Sequence, residues 1–370
     1  MTFLLGAGTI KIQVAVSRDL ACSVAVAASG PQGLTRMFVG RRPDEAPLLA
    51  GQVFSLCGFA QSVAARLAVL NATGRAMSDG ERICAGAGLL AERIFETLRA
   101  LILQWPVTLP VALAASAGRS LRDALAASRA IIAEVKAGRA DRAHLAAAAE
   151  RLTAAAASLG VPHQGDAPGP GTPCAAMLSD VEDDTVFAGR GTDPLSGRDD
   201  ADVVARLCAE PGYASLPHLP GRVVETGAYA RLAPRDFPEV PRLAQRLRAR
   251  MRDVSTSLDQ LASILGTGAL DWTTLAGGGP TPGAGGYGAV ECARGRLYHQ
   301  AEIADDGRLS AYRILAPTEW NFHPSGPFVG TLLSSPIGTD EAAVRSVSLL
   351  AVLFDPCVAF EIDVREAADA

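Results

Sequence analysis

Between residues 44 and 159 apolar side chains recur at three- and four-residue spacing with charges on the opposite face, and no other pattern restricts the fold as much. It predicts four helices, over 44–74, 79–104, 118–137 and 141–159, the last Ala-rich and opened by Asp141 as its N-cap. Residues 9–39 follow a different period. Ile10, Ile12, Val14 and Val16, then Val24 and Val26, alternate as in strands with one buried face, so a small sheet or pair of hairpins is expected there. Periodicity by itself supports a mainly α protein with small β elements.

The tract 160–173 holds four Gly and four Pro, which no helix can cross, and reads as a surface loop or linker between two helical halves. A helix is expected from about 237 to 265, and its RLAQRLRARMR run carries Arg242, Arg246, Arg248, Arg250 and Arg252. These are read as a solvated face, or as a docking surface for an acidic partner. Strands are expected over 289–304 and 308–315, with a last helix near 340–353. The chain is taken as one domain, 1–370: strands over 1–40, a helical part over 41–159, a loop or linker over 160–200, and a helical and mixed part over 201–370.

With 49% apolar and 20% charged residues the chain can bury a large core. A net charge of -5 gives no footprint for a polyanion, so nucleic acid is not an expected partner. The apolar stretch from Ala100 to Ala117 is short and broken by Pro106 and Pro110, so no membrane span is expected. The opening MTFLLGAGTIKIQVAV lacks both a cationic segment and a cleavage pattern, and so reads as a strand of a cytoplasmic protein. Seven cysteines with no CxxC pair argue against a disulfide framework and a zinc cluster. Metal chemistry would need cysteines far apart in sequence.

Two local patterns mislead. Gly283–Gly288 (GAGGYG) fits the dinucleotide fingerprint, but it reads as lying in a Gly- and Pro-rich tract with no strand before it and no helix after it. Arg82-Ile83-Cys84 sits inside an amphipathic helix, where Cys84 reads as a small core residue.

Longer signals run in a consistent order. Gly40 to Ala46 (GRRPDEA) leads to Cys57-Gly58; ETGAYARL spans Glu225 to Leu232; Glu291-Cys292-Ala293-Arg294-Gly295 precedes Leu297 and His299; Pro317-Thr318 precedes Trp320-Asn321; and Asp355-Pro356-Cys357 closes the series. Together these resemble the signatures of nickel-iron hydrogenase large subunits across nearly the whole chain. The resemblance implies a large-subunit-like helical bundle, α+β overall, whose N- and C-terminal segments meet at a vestigial metal site.

In that family two CxxC pairs hold nickel, and the second cysteine of each also bridges to an iron carrying cyanide and carbon monoxide. Here those second cysteines are Ala60 and Phe360, and neither a methyl group nor a phenyl ring replaces a thiolate. The family's N-terminal histidine and arginine fall on Ala64 and Ser55, and its maturation-site histidine falls on Asp363. No stable two-metal centre, no nickel, no proteolytic maturation and no hydrogenase catalysis are expected. The departures resemble those of the HupK-type hydrogenase expression/formation proteins.

That resemblance implies a non-catalytic scaffold that transiently holds or shields an iron-dicyanide-carbonyl fragment before its transfer to the true large subunit. The metal ligands implied are Cys57 and Cys357, with Arg294 donating hydrogen bonds to a cyanide nitrogen. The implied partners are a small maturation chaperone of the HypC type and the hydrogenase large or small subunit. Cys292, in place of a family proline, is expected to have no role, and His299, Trp320 and Asn321 are expected to pack and hydrogen-bond. Two other readings stay open: a divergent oxidoreductase subunit, and a metal-free interaction paralogue.

Overall fold

The protein is described by a computed structural model covering residues 8–29, 33–138, 141–163, 167–187, 193–236 and 242–367. Strands β1 (Thr9–Ser17) and β2 (Leu20–Ser29) form an antiparallel hairpin. Helices α1 (Ala46–Val53), α2 (Gly58–Ala72), α3 (Asp79–Gln104), α4 (Val111–Lys136) and α5 (Arg142–Leu159) follow. A region of short elements comes next: α6 (Pro173–Ser179), β3 (Asp193–Pro194), α7 (Asp200–Ala209), β4 (Val224–Glu225) and α8 (Ala228–Asp236). After α9 (Leu243–Thr267), strands β5 (Ala276–Thr281), β6 (Gly285–Cys292), β7 (Gly295–Ile303) and β8 (Leu309–Leu315) form an antiparallel sheet in that order. Short α10 (Pro317–Asn321) and α11 (Pro327–Leu332), then α12 (Glu341–Phe354), lead to β9 (Ala359–Glu366).

β9 runs parallel to β1, with Thr9 opposite Ala359 and Val16 opposite Glu366. This pairing brings the two ends of the chain into one three-stranded sheet, so the stretch just before β9 lies beside residues some three hundred positions upstream. The long helices obey their sequence signals. α3 begins on a capping box in which Ser78 and Glu81 satisfy each other's backbone N–H, and α5 begins on Asp141, which accepts from the N–H groups of Ala143 and His144. α3 runs through the main core, where Leu90, Ile94 and Leu98 are fully buried. Each such side chain contributes about 1.5–3 kcal/mol on removal from water.

α2 lies directly on the sheet. A Cβ at Gly286 would stand 2.2 Å from the Ala72 nitrogen, and one at Gly288 would stand 2.3 Å from the Ala64 carbonyl oxygen. The glycines of the dinucleotide-like pattern therefore allow a strand to touch a helix backbone. That pattern also differs from expectation in having strand β5 ahead of it, in a hairpin rather than a strand-to-helix turn.

Several expected elements need correction. The helix expected over 44–74 is two, α1 and α2, interrupted at 54–57. The strand expected over 289–304 is also two, because the chain reverses at Ala293-Arg294 between paired Cys292 and Gly295. The run 160–200 is not only a loop: it contains α6, capped by Thr172, and buries Cys174, Met177 and Val181 in the main core. Residues 237–241, where the arginine-rich helix was expected to start, lie outside the described residues. Its arginines are not all a solvated face: Arg242 is exposed and Arg248 and Arg252 half-buried, but two point inward. Arg246 and Arg250 are buried and ion-paired with Glu225 and Asp355, while Arg248 reaches Glu182. Among the described residues no helix is long and apolar enough to cross a membrane.

Candidate functional site

The break between α1 and α2 places the first candidate ligand. Cys57 adopts a left-handed conformation (φ 53°) directly before α2, and its side chain does not cap the helix. The exposed N–H groups at the start of α2 are instead met by Glu92 from α3, which accepts from Phe59 at 2.7 Å and Ala60 at 2.8 Å. Burial pushes the Glu92 carboxyl up to about 7, against the pull of those two bonds. The turn is tight, since a Cβ at Gly58 would stand 3.0 Å from the Gly51 carbonyl oxygen.

Arg294 occupies the reversal between β6 and β7 and is almost wholly buried. Its Nη1 donates to Cys57 Sγ at 3.1 Å and to Glu96 Oε2 at 3.3 Å, and its Nε stands 3.5 Å from Asp355 Oδ1. Burial opposes its charge, yet Asp355, Cys57, Cys357 and Glu96 together raise its pKa above the ordinary range. Nε and Nη2 are buried without a hydrogen-bond partner. A charged group with two idle donors away from water is costly unless something accepts from them.

Cys357 lies in the stretch between α12 and β9, partly buried, where its backbone N–H donates to Thr318 Oγ1 at 3.0 Å. Burial raises its thiol to about 11, with Arg294 pulling the other way. Cys57 and Cys357 both line one cavity of about 410 Å³, and the charge of Arg294, which is not among its lining residues, acts on both thiols.

A third sulfur lies in the same place. Cys292, at the end of β6, is buried, lines the cavity and belongs to the same buried cluster as Cys57. Cys57, the backbone N–H of Arg294 and the charges of Arg294 and Arg231 lower the Cys292 thiol against its burial, while Cys292 and burial raise Cys57. Sequence reasoning set Cys292 aside as a substituted proline, and its only signal was its place two residues before Arg294. Among the described residues, no three His, Cys, Asp or Glu side chains are grouped so as to hold a metal ion.

The remaining motif residues form the frame. Asn321 clamps Thr226, accepting from its N–H at 3.0 Å and donating to its carbonyl at 2.9 Å. Arg231 joins α8 to Asp253 and Glu291. His299 sits between Gln61 and Tyr312 at 2.6 and 2.7 Å, and burial alone lowers its pKa to about 3, so it is neutral. Trp320 packs against Tyr213 in the core. As expected, these side chains pack and bond.

The fold is a known one. Chains of two nickel-iron-selenium hydrogenases superpose on it: one from Desulfovibrio vulgaris Hildenborough with a TM-score of 0.66 over 95% of this chain and 98% of that one, at 15% identity, and one from Desulfomicrobium baculatum with 0.62 over 93% and 95%, at 17% identity. The class defined is the hydrogenase large-subunit fold. No family model matches the sequence. Full-length relatives do: the hydrogenase expression/formation protein HupK of Rhizobium leguminosarum bv. viciae is 74% identical over 100% of both chains. HupK of Bradyrhizobium diazoefficiens is 32% identical over 98% of each, and HoxV of Cupriavidus necator 31% over 92% of this chain and 93% of its own. The chain belongs to the HupK/HoxV family of hydrogenase expression/formation proteins.

Proposed function

We propose that this chain is a non-catalytic accessory protein of hydrogenase maturation that receives an iron fragment already bearing cyanide and carbonyl ligands, holds it, and passes it to a hydrogenase large subunit. The observation that carries this reading is the buried Arg294 fork, whose Nη1 donates to Cys57 and whose Nη2 lacks an acceptor, together with two thiols from opposite ends of the chain that line one cavity. A cyanide nitrogen is an acceptor of the right kind for that donor, and thiolate sulfur is the soft donor low-spin iron takes. Cys57 and Cys357 hold the iron from either side of the cavity. Nickel is not part of the cargo, because Ala60 and Phe360 leave it without its sulfur set.

The partners proposed are a small maturation chaperone of the HypC type as donor and a hydrogenase large subunit as acceptor. The test is anaerobic purification from cells that make a hydrogenase, followed by infrared spectroscopy and metal analysis. Iron without nickel, together with cyanide and carbonyl stretches, is the expected result, and both disappear in Cys57→Ala and Cys357→Ala. A folded wild-type chain that carries no iron in those cells overturns the reading.

A further inference from the structure

We propose that Glu92 is the positioning residue of the thiol site: with Glu96, one turn further along α3, it sets Cys57 against Arg294. This deepens the reading above and rests on it for the identity of the cargo. Cys57 sits at φ 53°, in a region that costs a non-glycine residue about 1–3 kcal/mol and persists only where the surroundings dictate it. Its side chain supplies no cap, and its carbonyl oxygen accepts from the Gln61 N–H at 2.9 Å, as the first turn of a helix requires. The N–H groups of Phe59 and Ala60, which follow the turn, have no acceptor to find within α2. Both donate to the one carboxylate of Glu92, at 2.7 and 2.8 Å. Hydrogen bonds to a charged acceptor are about twice as strong as neutral ones, and this pair fixes the direction in which the chain enters the helix.

α3 meets the start of α2 at a second point. One turn before Glu92, Gly88 lets the Phe59 ring lie against the backbone of α3, where a Cβ would come 2.3 Å from the ring's Cε1. One turn after Glu92, the buried Glu96 accepts from Arg294 Nη1 at 3.3 Å and is itself held by Arg99 at 3.0 and 3.1 Å. Residues 88, 92 and 96 are four apart and share one face, so a single helix sets the offset between the start of α2 and the turn after β6. Arg93 ties the end of β6 to the same helix by donating to the Glu291 carbonyl at 2.6 Å. The 3.1 Å contact of Arg294 Nη1 with Cys57 Sγ is where the two arms meet. Glu92 is not among the residues that line the cavity, and it acts through the backbone it holds.

The full chain, purified anaerobically from hydrogenase-producing cells, is compared with Glu92→Ala and Glu92→Gln. Glu92→Ala removes both acceptor oxygens, and its iron content is expected to fall about tenfold, the cost of losing a group that orients a metal ligand. Glu92→Gln keeps one acceptor oxygen at the same reach and should hold an intermediate share. If Gln is as poor as Ala, the charge and not the hydrogen bonds matters, and the assignment fails. With iron removed, iodoacetamide should alkylate Cys57 several times faster in Glu92→Ala than in the parent, while Cys357 and the buried Cys174 keep their rates. Parental iron content with parental alkylation of Cys57 overturns the assignment, and so does a rise shared by all three cysteines, which reports general loosening. Independently of folding in any variant, the Phe59 and Ala60 amides of the parent should exchange with deuterium several times more slowly than those of Ala112 and Leu113, in the first turn of α4, which has no side-chain cap. Equal exchange overturns the assignment as well. A parent without iron overturns the underlying reading instead, while alkylation and exchange still judge Glu92, so the two failures are distinct.

Discussion

Arg294 and Arg296 stand on either side of Gly295, both buried, and their surroundings are opposite in kind. Arg296 uses all three nitrogens: Nε and Nη2 grip Asp200, with Nε at 2.6 Å from Oδ1, and Nη1 donates to Glu291 at 3.1 Å. Arg294 donates from one nitrogen and leaves two without a hydrogen bond: Nε stands 3.5 Å from Asp355 Oδ1, and Nη2 has no partner. The turn sets them apart, since Arg294 lies outside β7 and Arg296 within it. Arg296 and Tyr298 share the face of β7 that meets Asp200 of α7, whereas Arg294 belongs to the turn that faces Cys57. Gly295 between them, at φ 124°, can carry no side chain, because a Cβ would come 2.2 Å from Thr226 Oγ1. A complete ion-pair set is a structural fixture. The incomplete set of Arg294, equally buried, is where the proposed function puts an acceptor.

The largest effect that bears on this contrast is on stability. In Arg296→Met, Asp200 stays buried with only the Tyr298 hydroxyl at 3.0 Å to replace a two-pronged partner. The expected loss is about 3–5 kcal/mol, the cost of a buried charge left without its mate. Urea unfolding of the metal-free chain measures it. A loss below 1 kcal/mol would remove the distinction between fixture and site.

How far this contrast could be read from sequence depends on whether a signal was local. The span 79–104 and the Asp141 cap follow from periodicity and capping chemistry, and the structure has α3 and α5 where those rules place them. The break at 54–57 carries no Gly or Pro to announce it, since it depends on Cys57 taking a positive φ and on Gly51 meeting Gly58 in space. β5 is written AGGGPT, a composition that strand propensity rejects and close packing on a helix permits. Arg246 and Arg250 are four apart, on one helix face, and their acidic partners lie 21 and 105 residues away in sequence. Cys57 and Cys357 were legible only through the family signatures around them. Cys292 matched no signature, and its nearness to Cys57 arises from a hairpin end meeting a helix start across 235 positions.

A second, smaller effect tests whether β7 is rigid beyond Arg296. His299 is neutral in the folded protein, with a pKa lowered to about 3, whereas an unfolded histidine titrates near 6.5. Above pH 6.5 neither state binds the proton and the folded state keeps its full stability. As the pH falls below 6.5 the unfolded chain alone takes up a proton, so stability is lost by about 1.4 kcal/mol per pH unit down to the folded pKa. In His299→Gln that part of the slope is expected to vanish, as read from urea unfolding between pH 6.5 and 4. An unchanged slope would mean that Gln61 and Tyr312 do not hold the ring dry.

The smallest stability effect belongs to Arg294, and its smallness is the point. Removing it leaves each neighbouring carboxylate one cation, because Glu96 keeps Arg99 at 3.0 Å and Asp355 Oδ2 keeps Arg250 at 3.0 Å, although Asp355 Oδ1 loses its 3.5 Å neighbour. It also removes two buried donors that have nothing to bond. Arg294→Met should therefore change unfolding free energy by no more than about 1 kcal/mol, the net worth of one hydrogen bond, while abolishing retention of the iron fragment. Arg294→Lys keeps the charge without the planar fork and is expected to recover stability but not retention. If Arg294→Met destabilises the metal-free chain as strongly as Arg296→Met, the idle donors are part of the frame after all. Were it neutral for both stability and iron content, neither role could stand, so each arginine can be judged by whether its loss is read in melting or in cargo.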